Sequence, residues 1–141
     1  MRHSLIILGA ILALPAARLI AQPAHDGAWW GGLSPAARQN VITGFLDGMA
    51  LGQNLALMGS GNSSDPGCRS TIAQSYSYVR TKYFGGVTIA NVVSALDDLY
   101  GDSENGSIII GRAVWIAVNR LAGTGADEIE KLILQSRGVS Y

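Results

Sequence analysis

Cysteine is nearly missing from this chain. Cys68 is the single thiol among 141 residues, so no internal disulfide can form and the core must hold together by burial. Two readings of that thiol stay open, a buried small hydrophobe or a bridge between two chains, and the first is the simpler. Charge is sparse as well: Asp, Glu, Lys and Arg make up 14% of the residues, ten bases against ten acids. A near-neutral chain offers no field that would attract nucleic acid or an anionic membrane surface, so neither is expected as a partner. Histidine occurs only at His3 and His25. There is no HExxH, no paired CxxC, no GxSxG and no phosphate-cradling glycine loop. Catalytic residues, metal ligands and cofactors are therefore not expected. A carboxylate pair of Asp47 with Asp98 or Glu104 would be the distant route to hydrolysis, and nothing in the sequence brings those side chains together.

What is present begins with an export pattern. Arg2 and His3 precede an apolar run from Leu5 to Leu14. Ten such residues reach about 15 Å as a helix, roughly half the hydrocarbon core of a bilayer, and are too short to span it. Pro15-Ala16-Ala17 and Leu19-Ile20-Ala21 offer small residues to a signal peptidase. Cleavage is expected after Ala21, with the Ala16–Ala17 region as second choice, and the product would be periplasmic or secreted. Residues 22–141 then form one helical domain of 120 residues, which is room for one core and not two. Without Arg2 and Arg18 its net charge is −2.

The periodicity predicts an all-α fold, a compact bundle of about five helices. Gln22 to Gly27 reads as a mobile start. Ser34-Pro35 is an N-cap followed by proline at the first helical position, and the helix runs to about Met58. Val41, Ile42, Phe45, Leu46, Met49 and Ala56 keep helical spacing, with Leu51 and Leu55 extending the apolar surface around the side. A second helix spans Ser70 to Tyr83. Thr88 caps a third, through Ile89, Val92, Val93, Leu96 and Leu99. A fourth, apolar on nearly all sides and therefore central, covers Gly111 to Ala122. Thr124 caps the last, and Arg137-Gly138 ends it. The segments 87–89 and 107–110 share an extended character, and a very short two-stranded pairing between them is a further expectation.

Three constellations carry functional content. Gly44, Gly48 and Gly52 recur every fourth residue on one face of the first helix. Each costs roughly 1 kcal/mol of helix propensity relative to alanine, so the rail predicts close backbone approach. The favoured occupant is another helix of the same domain, the apolar one around Trp115; a partner chain, as in a homodimer, is the alternative. A membrane helix pair is expensive because Asp47, Gln53 and Asn54 lie in the same segment. A polar stripe, Asn40, Thr43, Asp47 and Asn54, runs beside the rail. The second constellation, Asp102, Ser103, Glu104 and Asn105, is the most polar loop between two apolar helices, so it is the candidate partner-binding surface. It does not fit a calcium loop, since placing Gly106 sixth puts Gly101 first and Arg112 twelfth. Asp97 and Asp98 sit unfavourably near a helix C-terminus, and a basic neighbour such as Arg112 would compensate. Third, Trp29-Trp30 precedes the first long helix, where a plug for one end of the core is favoured over a sugar-stacking surface. Asn62-Ser63-Ser64 and Asn105-Gly106-Ser107 match glycosylation acceptors, but such triplets arise readily by chance.

Gly44-Phe45-Leu46-Asp47-Gly48 resembles the Gly-aromatic-x-x-Gly helix of the Tai-type immunity proteins, which protect against type VI secreted amidase effectors. Gly86 to Leu96 resembles that family's Gly-Val-Thr turn into an amphipathic helix, and Ala113 to Val118 sits where its apolar helix does. The similarity covers about half of residues 22–141. Two departures are visible: the family generally uses cysteine pairs, and this chain has an additional helix after Gly123. The resemblance implies a periplasmic inhibitor that covers the active site of a peptidoglycan amidase, often as a dimer, with the loop from Asp102 to Asn105 as its insertion element. The residues by themselves imply an exported protein-binding domain. An envelope-associated structural or interaction protein is the alternative, and a small cell-wall hydrolase a distant one.

Overall fold

A computed structural model describes residues 24–61 and 67–138. The export segment, its cleavage positions and the Asn62 triplet lie outside the described residues. The described residues form an all-α bundle: α1 (Gly27–Gly31), α2 (Pro35–Ser60), α3 (Cys68–Val79), α4 (Ile89–Gly101), α5 (Ile110–Leu121) and α6 (Ala126–Ser136). A π-helical turn, Arg80–Phe84, prolongs α3, and a 3-10 turn, Ser103–Asn105, follows α4.

Local chemistry sets most of these boundaries. Ser34 Oγ accepts from the Ala37 amide at 3.3 Å, with Pro35 in the first turn, and Thr88 Oγ1 accepts from Asn91 at 3.2 Å. At the end of α6, Gly138 takes a φ of 75°, the left-handed turn that favours glycine. The short α1 is an element beyond the five expected. Asp26 creates it by accepting from the amides of Ala28 and Trp29 at 3.0 and 3.1 Å. Thr124, expected as the cap of α6, does otherwise. Gly125 holds the cap position, and the Thr124 hydroxyl donates to Asn119 Oδ1 at 3.2 Å.

The core is built around α5, whose Ala113, Val114, Ile116, Ala117 and Val118 are all buried. Val92, Leu96 and Leu99 of α4 meet it, as do Ile129 and Ile133 of α6, while Trp30, Ile42 and Ile108 complete the cluster. Burial of each large side chain contributes about 1.5–3 kcal/mol before ordering costs are counted.

The expected pairing of 87–89 with 107–110 is not formed, and no strand occurs among the described residues. The second segment is anchored instead by the chain ahead of α1. Gly27 N donates to Gly106 O at 3.0 Å and Ile110 N to His25 O at 2.7 Å. Residues 24–27 are therefore docked rather than mobile. Glycine is required at 27, because a Cβ there would lie 2.7 Å from the Tyr100 ring and 3.0 Å from the Gly106 backbone. Tyr100 secures the same segment by donating its hydroxyl to Ile108 O at 2.8 Å. With Ile108 and Ile109 buried, their β-branched side chains are satisfied by the core and need no sheet.

Candidate functional site

The long helix α2 carries the most exposed apolar surface in the described chain. Its 26 residues extend about 39 Å, yet only Ile42 and Ser60 among them are buried. Near its start, half-buried Val41, Phe45 and Leu46 join Ile42 against the core. The helix packs chiefly on α4 and α3. Its opposite side is uncovered: Leu51, Leu55 and Met58 are 59%, 56% and 69% exposed. These positions, at i, i+4 and i+7, share one face with Gly44, Gly48 and Gly52. A Cβ placed on any of the three glycines would meet nothing within 4 Å.

This corrects the expectation that the rail packs against the helix around Trp115. Helix α5 is already covered by α4 and α6. The inward face of α2 went to Ile42, Phe45 and Leu46 because they have side chains to bury, and glycine has none. The rail is therefore a bare backbone strip bordered by exposed leucine and methionine. The polar residues Asn40, Thr43, Asp47 and Asn54 are exposed and run along one edge of it.

The loop from Asp102 to Asn105 has a different character from the one expected. Asn105 is 3% exposed. It donates through Nδ2 to Leu99 O at 2.9 Å, and its Oδ1 accepts from Arg137 Nε and Nη2 at 3.1 and 2.9 Å. Arg137 also reaches Glu104 at 2.8 Å and Asp102 at 3.8 Å. Asp102 Oδ1 accepts from the Glu104 amide at 3.0 Å. Asp102, Ser103 and Glu104 are exposed, but the group is a latch that ties the end of α4 to the end of α6. Asn105 is part of that latch and unavailable to a partner or a glycan.

A second polar cluster joins α1, the start of α2 and α4. Trp30, 1% exposed, donates Nε1 to Asp97 Oδ1 at 2.7 Å, and Arg38 pairs with the same oxygen at 2.8 Å. Arg38 also stands 5.5 Å from the Trp30 ring centroid. Trp30 is thus a plug, and Arg38, not Arg112, compensates Asp97. The Arg112 Nε is buried and has no hydrogen-bond partner among the described residues. Cys68 is half-buried and unpaired at the first residue of α3, so it is not the fully buried hydrophobe expected.

No known protein family, characterised protein or solved structure matches this chain. The geometry must therefore carry the functional reading. Among the described residues no three His, Cys, Asp or Glu side chains converge on one point. Asp47 lies on the polar edge of α2, Asp98 near the end of α4 and Glu104 in the latch. Sequence reasoning missed one surface, a tilted pair of Tyr83 and Trp115 with centroids 4.8 Å apart. Lys82 stands beside it, 4.9 Å from the Tyr83 ring and 5.4 Å from the Tyr78 ring. Helical spacing places Tyr83 on one helix with Tyr76, but only the packing of the turn after Val79, where Tyr83 is half-buried against the core, brings its ring against Trp115.

Proposed function

We propose that this chain is an exported helical binding domain whose protein partner lays a helix against the outward face of α2. The observation that carries the reading is the bare strip of Gly44, Gly48 and Gly52 beside exposed Leu51, Leu55 and Met58. The three glycines weaken the free helix, and the apolar residues raise the cost of solvation. A docked helix offsets both, because small residues let two backbones approach closely while the flanking side chains interdigitate. The resemblance to Tai-type immunity proteins adds a specific partner, a secreted peptidoglycan amidase, and a specific consequence, its inhibition in the periplasm.

A photo-cross-linking residue at position 55 tests the proposal in cells, with the exposed position Ser94 of α4 as control. A protein adduct specific to position 55, and lost on Gly48→Leu, supports it; an adduct only with the chain itself, or none, overturns it. If the adduct is an amidase, adding the purified chain should suppress its peptidoglycan cleavage, and Leu55→Arg should abolish that effect.

A second reading is favoured by one observation. Of the described helices, α2 alone is long and apolar enough to cross a membrane. Against it stand Asp47, Gln53 and Asn54 within the helix and the packing of its inner side on α3 and α4. In that reading the position 55 adducts are lipids, and alkaline carbonate fails to extract the protein from membranes.

A further inference from the structure

On the side of α2 away from the bare strip, the helix does not close fully on α3. A cavity of about 440 Å³ lies between them, walled by Leu46, Met49, Val79 and Phe84, with Gln53 and Arg80 among its polar lining. That volume is within the roughly 300–1,000 Å³ typical of small-molecule sites.

Two independent features mark this cavity. First, its wall includes the π-helical turn Arg80–Phe84, a geometry that is uncommon in α-helical chains and is found frequently at functional sites. The turn supplies both an apolar and a cationic lining residue, Phe84 and Arg80. Second, the lining holds one charged residue, the cation Arg80, on a segment without acids. From Cys68 to Phe84 the chain holds Arg69, Arg80 and Lys82 and no acid. Lys82 is occupied by the Tyr78 and Tyr83 rings. Arg80 is exposed and makes no ion pair among the described residues.

We infer that this cavity binds a single-chain anionic amphiphile, a free long-chain carboxylate. Its alkyl chain lies along Leu46, Met49, Val79 and Phe84, and its carboxylate meets Arg80. Apolar burial supplies the affinity. The guanidinium fork supplies the preference for carboxylate over an uncharged head, because it can donate two parallel hydrogen bonds to the two oxygens. The site does not depend on the outward face of α2.

The test is equilibrium titration of the purified chain with hexadecanoate and with hexadecanol, each read by displacement of a fluorescent polyene fatty acid. One hexadecanoate per chain is expected. Arg80→Gln should weaken hexadecanoate about tenfold and leave hexadecanol unchanged, while Ala50→Phe, which fills the cavity, should weaken both. Leu55→Arg should alter neither. Since Arg80 is exposed, its replacement leaves the fold intact and keeps the test decisive if Ala50→Phe does not fold. Absence of saturable uptake, uptake of several molecules per chain, equal weakening of acid and alcohol by Arg80→Gln, or binding to phospholipid vesicles in preference to the free acid would each overturn the inference.

Discussion

Alanine at Gly44, Gly48 and Gly52 together should stabilise the isolated chain. The added methyl groups enter open space, so no overpacking opposes them. Each glycine-to-alanine change inside a helix gains about 0.8–1 kcal/mol, chiefly through the smaller entropy lost on folding. The triple variant should therefore gain roughly 2–3 kcal/mol. For a domain near this size, about 3–5 °C accompanies each kcal/mol, which places the expected rise in Tm at roughly 6–15 °C. Urea and thermal denaturation followed by circular dichroism measure it, at several protein concentrations so that self-association shows as a concentration-dependent midpoint. Intramolecular packing on the rail, the reading favoured by sequence spacing alone, demands the opposite sign for a bulky replacement: Gly48→Leu would lose roughly 1–3 kcal/mol by overpacking. The structure requires Gly48→Leu to leave the monomer at least as stable and to impair docking of the partner. A fall in monomer stability in either variant would refute the open-face geometry.

Asn105→Ala should cost about 1–3 kcal/mol in urea denaturation, because it strands the Leu99 carbonyl and the Arg137 guanidinium. Glu104→Ala, at a side chain that is 72% exposed, should stay within about 1 kcal/mol. Trp30→Phe removes the bond to Asp97 and should lower stability by roughly 1.5–3 kcal/mol in the same assay. Burial, followed by the nearby Asp26 carboxylate, pushes the Tyr100 phenol above its ordinary value of 10.0. The folded state then retains a proton that the unfolded state releases, so this contribution is complete below pH 10.0 and is lost as pH rises beyond it. Tyr100→Phe should cost about 1 kcal/mol at neutral pH and flatten the alkaline decline in stability. Mass spectrometry of the exported product should show loss of the first ~21 residues; an intact chain starting at Met1 in the cytoplasm would defeat the export argument.

Local signals were sufficient where one stretch of chain settles the matter. Ser34-Pro35 and Thr88 start their helices because a cap needs only the next three residues. The buried triplet Val92, Leu96 and Leu99 of α4 follows from spacing, as does the central place of α5, apolar on nearly every side. Trp30 as a plug was also legible, since a large aromatic beside a helix start has few other places to go. The loop at 102–105 misled because polarity marks exposure on average, whereas Asn105 is polar and buried for a partner 32 residues away.

The sequence by itself determined an all-α chain, its main helix starts and the apolar positions of α4, α5 and α6, because caps and helical periodicity act over a few residues. Only the tertiary structure decided which side of α2 faces inward. That helix is apolar around much of its circumference, so its period does not choose between Ile42 with Phe45 and Leu46 on one side and the glycine strip with Leu51 and Leu55 on the other. The choice depends on which surface α3 and α4 can reach, as do the bonds from Trp30 to Asp97 and from Asn105 to Arg137. Those contacts join residues far apart in the chain, and their energy appears only once the elements between them have packed.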